Sequence, residues 1–351
     1  MIMPINVFLD TNILHKDYFF QNKSNAQLFR YMIDGLINIF MSDIVLMEMR
    51  SHYQLELEEV KTNIAKIKSD AERMKFKVKI EDEQAVVSIL KRFDLSYEGL
   101  RIYKNFAILK FSNDMLTKIV KKAISKKPPF FNNEKKDQLK DCIIWLTYSQ
   151  YAEKANLQNC FFITGNTNDF GDKESISKDH PEVKVHPELQ NESKKFTIYR
   201  SAADFITTMA GEIERPIKEF REYIEALNID AEYIKQQLVD YFSEQIEQEL
   251  SITRAFNDEY QFVAKIDDAI GGGVNTHFFE IESVMDYGIQ VLNQRALIFG
   301  KAHAYAEIDL SKRDFDPGCP TELNLEFDFN YDLLEDEECS NLEISEFGYL
   351  L

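Results

Sequence analysis

The chain has 351 residues, a net charge of −19, and 44% hydrophobic and 29% charged residues, the balance of an ordinary globular protein long enough for two domains. No apolar run approaches the ~18 residues of a membrane span and no cationic stretch leads into an apolar signal segment, so a cytoplasmic protein without membrane contact is expected. Cys142, Cys160, Cys319 and Cys339 form no C-x-x-C pair, which argues for reduced thiols and against a disulfide frame or a zinc site.

The first predicted element is a buried strand over residues 5–10, the apolar run Ile5-Asn6-Val7-Phe8-Leu9 ending in Asp10-Thr11-Asn12. A strand that delivers a carboxylate at its C-terminal end places it where open α/β sheets bind ligands. A helix follows, with Ser24 or Asn25 as its start signal. Residues 37–41 read as a second strand, after which Ser42-Asp43 caps a helix carrying Glu48 and running to about Met74. Residues 75–136 read as mostly helix with polar breaks, ended by Pro128-Pro129. Another helix spans Asp137 to Ala155. Cys160-Phe161-Phe162-Ile163-Thr164 is a strand of the parallel-sheet type. A Gly/Asn-rich turn, a polar loop over 171–195, a strand over 195–199 and a helix from Ser201 to Gly211 complete the pattern. Strands alternating with helices imply a parallel sheet covered on both faces.

The character then changes. Residues 215–351 hold 30 Asp and Glu against 10 Lys and Arg, which leaves 30 against 31 in residues 1–214. Residues 215–254 read as acidic helix and Gly271-Gly272-Gly273 as a break. Period-2 stretches at 288–292, 302–308 and 322–329 then mark half-buried antiparallel strands. The expected division is an α/β domain over 1–214, with a helical insertion over about 52–136, and a smaller acidic α+β domain over 215–351. The acidic domain would bind a protein partner, hold a homo-oligomer together, shield a basic groove, or serve only as a solubilising appendage. Glu335-Asp336-Glu337-Glu338 reads as a solvated loop.

Four acidic positions stand at strand ends and helix starts: Asp10, Glu48, Asp141 and Asp169. Carboxylates that converge repel one another and persist when a hard cation neutralises them. Oxygen-only ligands favour Mg²⁺ or Mn²⁺, which promote phosphodiester hydrolysis. Each residue also has an ordinary structural reading: Asp10 as an Asx turn, Glu48 as a solvated helix residue, Asp169 as a cap. Asp137 lies one turn before Asp141 and is the alternative at that position.

These motifs resemble the PIN-domain ribonucleases. Asp10-Thr11-Asn12-Ile13-Leu14 resembles their first motif, Ser42-Asp43-Ile44-Val45-Leu46-Met47-Glu48 the second, Lys140-Asp141-Cys142-Ile143-Ile144 the third, and Phe162-Ile163-Thr164-Gly165-Asn166-Thr167-Asn168-Asp169-Phe170 the fourth. The likeness covers roughly residues 1–210, and the insertion suggests the larger PIN-like proteins of unknown function. It implies a three-layer α/β/α fold and Mg²⁺ or Mn²⁺ on Asp10, Glu48, Asp141 and Asp169, with Thr11, Asn12, Thr164, Asn166 and Asp137 in supporting positions. The implied reaction is hydrolysis of RNA to a 5′-phosphate and a 3′-hydroxyl, with structure-specific DNA cleavage or a catalytically weak binding or sensor module as alternatives. A toxin-like or phage-defence role rests on the resemblance alone. One departure is Asn166, where many PIN domains carry an acid. Lys122, Lys126, Lys127, Lys136 and Lys140, with Phe130 and Arg50, are candidate substrate contacts; the competing reading is a solvated helix face with Phe130 in the core.

Overall fold

The computed structural model describes residues 4–77, 86–130, 138–177, 180–251, 275–309 and 321–349. They fall into two units, Met1–Glu214 and Arg215–Leu351.

The first unit is built on a six-stranded sheet. One of its two central strands is β1 (Ile5–Leu9), in which all five residues are buried, as expected of a strand covered on both faces. β2 (Ile37–Ser42) and β3 (Phe106–Leu109) lie to one side, and β4 (Cys160–Ile163), β6 (Phe196–Tyr199) and β5 (Glu182–Lys184) to the other, in the order β3-β2-β1-β4-β6-β5. All pairings are parallel except β5 with β6. Leu9 stands opposite both Met41 and Ile163, and Met41 opposite Ile108, so these strands end on one edge. The chain leaves β1 toward β2 and later returns to β4 on its other side. The β1/β4 boundary is therefore a topological switch point, where open α/β sheets leave a crevice at the strand C-termini.

The helices are α1 (Thr11–Leu14), α2 (Lys23–Ile33), α3 (Asp43–Arg73), α4 (Val86–Leu100), α5 (Leu116–Ile124), α6 (Gln138–Lys154), α7 (Thr167–Phe170) and α8 (Ala202–Ala226). Phe8 stacks on Phe40 at 4.8 Å and meets Tyr148 of α6 at 5.1 Å and Phe196 at 5.0 Å. α6 is buried nearly all round. Trp145 and Tyr148 join the sheet core, while Cys142 and Leu146 form a second cluster with Met115 and Ile119 of the α5 segment. The polar residues Asp141, Thr147 and Ser149 of α6 are buried along with the apolar ones, so the helix is covered on most sides rather than along one stripe.

The mixed α/β architecture agrees with the fold read from sequence, with local corrections. The insertion is not purely helical: Phe106–Leu109 joins the sheet as its edge. A four-residue apolar run is too short for periodicity to separate strand from helix. The polar stretch 171–195 contains β5, paired antiparallel to β6. The α2 cap is Asn22, whose side chain accepts from the Asn25 amide at 2.9 Å, not Ser24 or Asn25. α8 runs past Gly211 and through Pro216 to Ala226.

In the second unit, α9 (Ala231–Ser251) accompanies a four-stranded antiparallel sheet of β7 (Asn275–Leu292), β8 (Arg295–Asp309), β9 (Thr321–Leu333) and β10 (Cys339–Tyr349), in the order β10-β9-β8-β7. Leu325, Phe327, Phe329, Tyr331 and Leu333 of β9 are buried in one core with Ile234, Leu238, Phe242 and Ile246 of α9. The residues between them, including Glu326 and Asp328, point to the opposite face, as strand alternation requires. Leu292 pairs with Arg295, leaving a two-residue turn in which Asn293 has φ 59°, the left-handed conformation that asparagine tolerates in tight hairpins. Glu335–Glu337 form a short 3-10 turn between β9 and β10. The Gly271-Gly272-Gly273 break and Cys319 lie outside the described residues.

Candidate active site

Asp10 follows the last residue of β1 and is only 2% exposed. It caps α1: one carboxylate oxygen accepts from the Thr11 amide at 2.8 Å. The other accepts from the Asn12 side chain at 2.7 Å and from the Thr164 hydroxyl at 2.5 Å. Thr164 follows β4, the neighbour of β1, so parallel register alone sets the two side by side. Burial pushes the Asp10 carboxyl up to about 6. The hydrogen bonds from Thr164, the Thr11 amide and Asn12 pull the other way, and the Glu48 charge adds to the rise. Desolvation outweighs three hydrogen bonds because the whole carboxylate is out of water.

Glu48 reaches the same place from α3. The Ser42 side chain caps that helix by accepting from the Ile44 amide at 3.2 Å, and Glu48 lies between one and two turns further on. Its Oε2 accepts from the Thr11 hydroxyl at 2.8 Å, so Thr11 touches both acids: its amide holds Asp10 and its hydroxyl holds Glu48. Glu48 Oε1 faces the Lys140 ammonium, with His52 Nε2 at 3.7 Å. Lys140 stands in the first turns of α6, immediately before Asp141.

Tyr148 fixes α6 against this edge. Its hydroxyl donates to the Leu9 carbonyl at 2.5 Å and accepts from the Ser42 amide at 2.9 Å, tying the ends of β1 and β2 to one helix. Asp141 is seven residues earlier, two turns along the same face, and is 6% exposed. Asp169, in α7, is likewise 6% exposed. The α7 turn is organised by Asn166, whose amide donates to Thr164 Oγ1 at 2.9 Å and whose carbonyl accepts from the Asp169 amide at 3.0 Å. Asn12 Oδ1 accepts from the Gly165 amide at 2.8 Å. A Cβ on Gly165 would lie 3.3 Å from that oxygen, a tight fit.

Asp10, Thr11, Asn12, Glu48, Thr164 and the Asn166 backbone thus form one network, with Lys140 joined to it. Asp141, in the first turn of α6, and Asp169, in the turn after β4, are each buried. Among the described residues, no three His, Cys, Asp or Glu side chains stand close enough together to hold one ion. The donor chemistry of Asp10 and Glu48 matches a hard divalent cation; the number of gathered acids does not by itself define a cation site.

The proposed substrate contacts separate. Lys126 and Lys127 are exposed. Lys122 is corrected: it is 8% exposed, its ammonium is 3.0 Å from Glu192 and it donates to the Pro128 carbonyl at 3.2 Å. It is a structural ion pair whose aliphatic stem lies in the core. Arg50 is engaged by both carboxylate oxygens of Asp94, at 2.7 and 3.1 Å. Phe130 is half-buried against the cluster of Met115, Ile119, Cys142 and Leu146, the packing alternative to base stacking. Lys136 and Asp137 lie outside the described residues. Sequence reasoning missed Tyr148, although its seven-residue spacing from Asp141 was a readable signal. It also placed Lys140 on the substrate, where the structure turns it to Glu48.

A parallel sheet with a switch point at β1/β4, and acidic side chains at its carboxyl edge, make this an α/β/α fold with an acidic site at its strand ends. Residues 7–170 match the family described as PIN domain, and the N-terminal unit belongs to the PIN-domain superfamily. No curated protein matches the chain, and no solved structure matches it. Among the described residues, no helix is long and apolar enough to cross a membrane.

Proposed function

We propose that the N-terminal unit is an endonuclease dependent on Mg²⁺ or Mn²⁺ and that it hydrolyses RNA. Asp10 carries this reading. It is a buried carboxylate at a strand end, oriented by three donors and raised to about 6 beside a second acid, Glu48. An arrangement that concentrates negative charge against its own desolvation cost marks a functional site rather than a stabilising one. Asp141 and Asp169 complete the proposed acidic set. A divalent cation there supplies the charge that polarises a water and the scissile phosphate. The chain's own residues orient the carboxylates: Thr164 and Asn12 fix the Asp10 plane, and Thr11 sets its distance from Glu48. Exposed Lys126 and Lys127 offer contacts to the substrate backbone. RNA as substrate follows from the ribonuclease motifs; DNA is the alternative.

A second reading, a binding or sensor module with weak catalysis, is favoured by Asn166, a neutral residue at a position often acidic in the family. Cleavage of labelled RNA and DNA under Mg²⁺ or Mn²⁺, with Asp10→Asn as control, separates the readings. RNA cleavage that disappears in the variant supports the first. DNA cleavage alone reassigns the substrate. Retained binding without cleavage of either polymer supports the module.

A further inference from the structure

We infer that Lys140 is a built-in counter-ion of the acidic site, competing with the divalent cation for Glu48; the inference rests on the nuclease reading above. Both Glu48 oxygens are engaged, Oε2 by the Thr11 hydroxyl at 2.8 Å and Oε1 by the Lys140 ammonium. The Glu48 side chain is only 17% exposed, and that of Lys140 37%. The pair is thus shielded on the carboxylate side and open to water on the lysine side. A partly desolvated acid next to a second buried acid, Asp10, gains from a resident positive charge. A divalent cation that takes Glu48 Oε1 meets the ammonium at contact range, where like charges repel strongly. Lys140, 37% exposed, is the more solvated of the two partners of Glu48, whereas Thr11 is buried in α1 at the end of the buried strand. The same lysine therefore balances the charge of Glu48 and sets the concentration at which a cation competes with it.

Mn²⁺ binding to the full chain, read from the electron paramagnetic resonance of the free ion, tests this with wild type, Lys140→Gln and Lys140→Arg. Removing the competing charge should tighten binding roughly tenfold, and Lys140→Arg, which keeps the charge, should bind like wild type. A second measurement uses the unaltered protein: saturating Mg²⁺ should increase reductive methylation of Lys140, followed by mass spectrometry, as the ammonium leaves Glu48. Equal or weaker Mn²⁺ binding by Lys140→Gln, or unchanged methylation, overturns the counter-ion role and leaves the nuclease reading intact. Absence of Mn²⁺ binding by all three proteins overturns both.

Discussion

Both units carry acidic residues on a sheet, yet the sheets treat them in opposite ways. At the carboxyl edge of the parallel sheet, Asp10 is 2% exposed and its carboxyl is pushed up to about 6, chiefly by desolvation. On the open face of the antiparallel sheet, Glu326 is held below its ordinary range by hydrogen bonds with His303 Nε2, at 2.9 Å, and Lys301, at 3.3 Å. The difference is one of topology. An antiparallel sheet with a helix on one side leaves its other face to water, and alternate residues stay solvated there. A parallel sheet covered on both sides offers only its edge, and there the flanking elements shut the Asp10 carboxylate away from water. The high acidic content of the second unit therefore says little about chemistry, and the single acid at residue 10 says a great deal.

The contrast is broken most directly by neutralising one acid on each sheet. Under the proposed function, Asp10→Asn should lower nuclease turnover by at least about a hundredfold, the several kcal/mol expected from losing a group that holds a catalytic cation. Glu326→Gln should leave turnover unchanged. Equal losses in both would mean that burial is no guide to the site. Thr164→Val keeps the side-chain shape but removes the hydroxyl on Asp10; a loss of about 10–100-fold in cation affinity or activity is expected, read by titrating Mn²⁺.

Stability gives finer tests. Because the Asp10 carboxyl titrates at about 6 in the folded chain against 3.8 as its ordinary value, the folded state holds its proton to higher pH than the unfolded state does. Its contribution is least unfavourable below about 3.8, turns against folding as pH rises, and is complete above about 6, at a cost of up to about 3 kcal/mol. Denaturant unfolding of wild type and Asp10→Asn at several pH values should show a falling limb that the variant lacks. Tyr148→Phe leaves the buried Leu9 carbonyl and Ser42 amide without their shared partner, and should cost about 1–3 kcal/mol by the same measurement. Smallest is Lys301→Ala on the open face, where water screens the pair with Glu326; the unfolding midpoint should hardly move.

Apolar runs bounded by polar or turn residues made β1, β2, β4 and β6 legible, and with them the α/β class. β3 and β5 were not: Phe106–Leu109, as long as β4 and β6, sits inside a stretch that otherwise reads as helix, and Glu182–Lys184 is three mostly polar residues held by pairing rather than by pattern. At the site, the adjacency of Asp10 and Thr164 follows from strand ends in a parallel sheet, so the motif order was informative. The partners of the lysines were not. Whether Lys122 meets a phosphate, Glu192 or water is decided by how α5 packs on α6, and nothing in a run of lysines distinguishes the one whose stem enters the core.

One phenol has a consequence for how the N-terminal unit tolerates change. Tyr148 anchors α6 to the ends of β1 and β2 from within the helix, downstream of everything between residues 52 and 136. The spacing between Asp10 and the start of α6 is therefore independent of how long that intervening chain is. Changes at the exposed turns of α3 alter what the protein presents to its surroundings while the floor beneath Asp10 keeps its dimensions; the parts of the insertion that enter the core, Phe93, Tyr97 and β3, do not share that freedom.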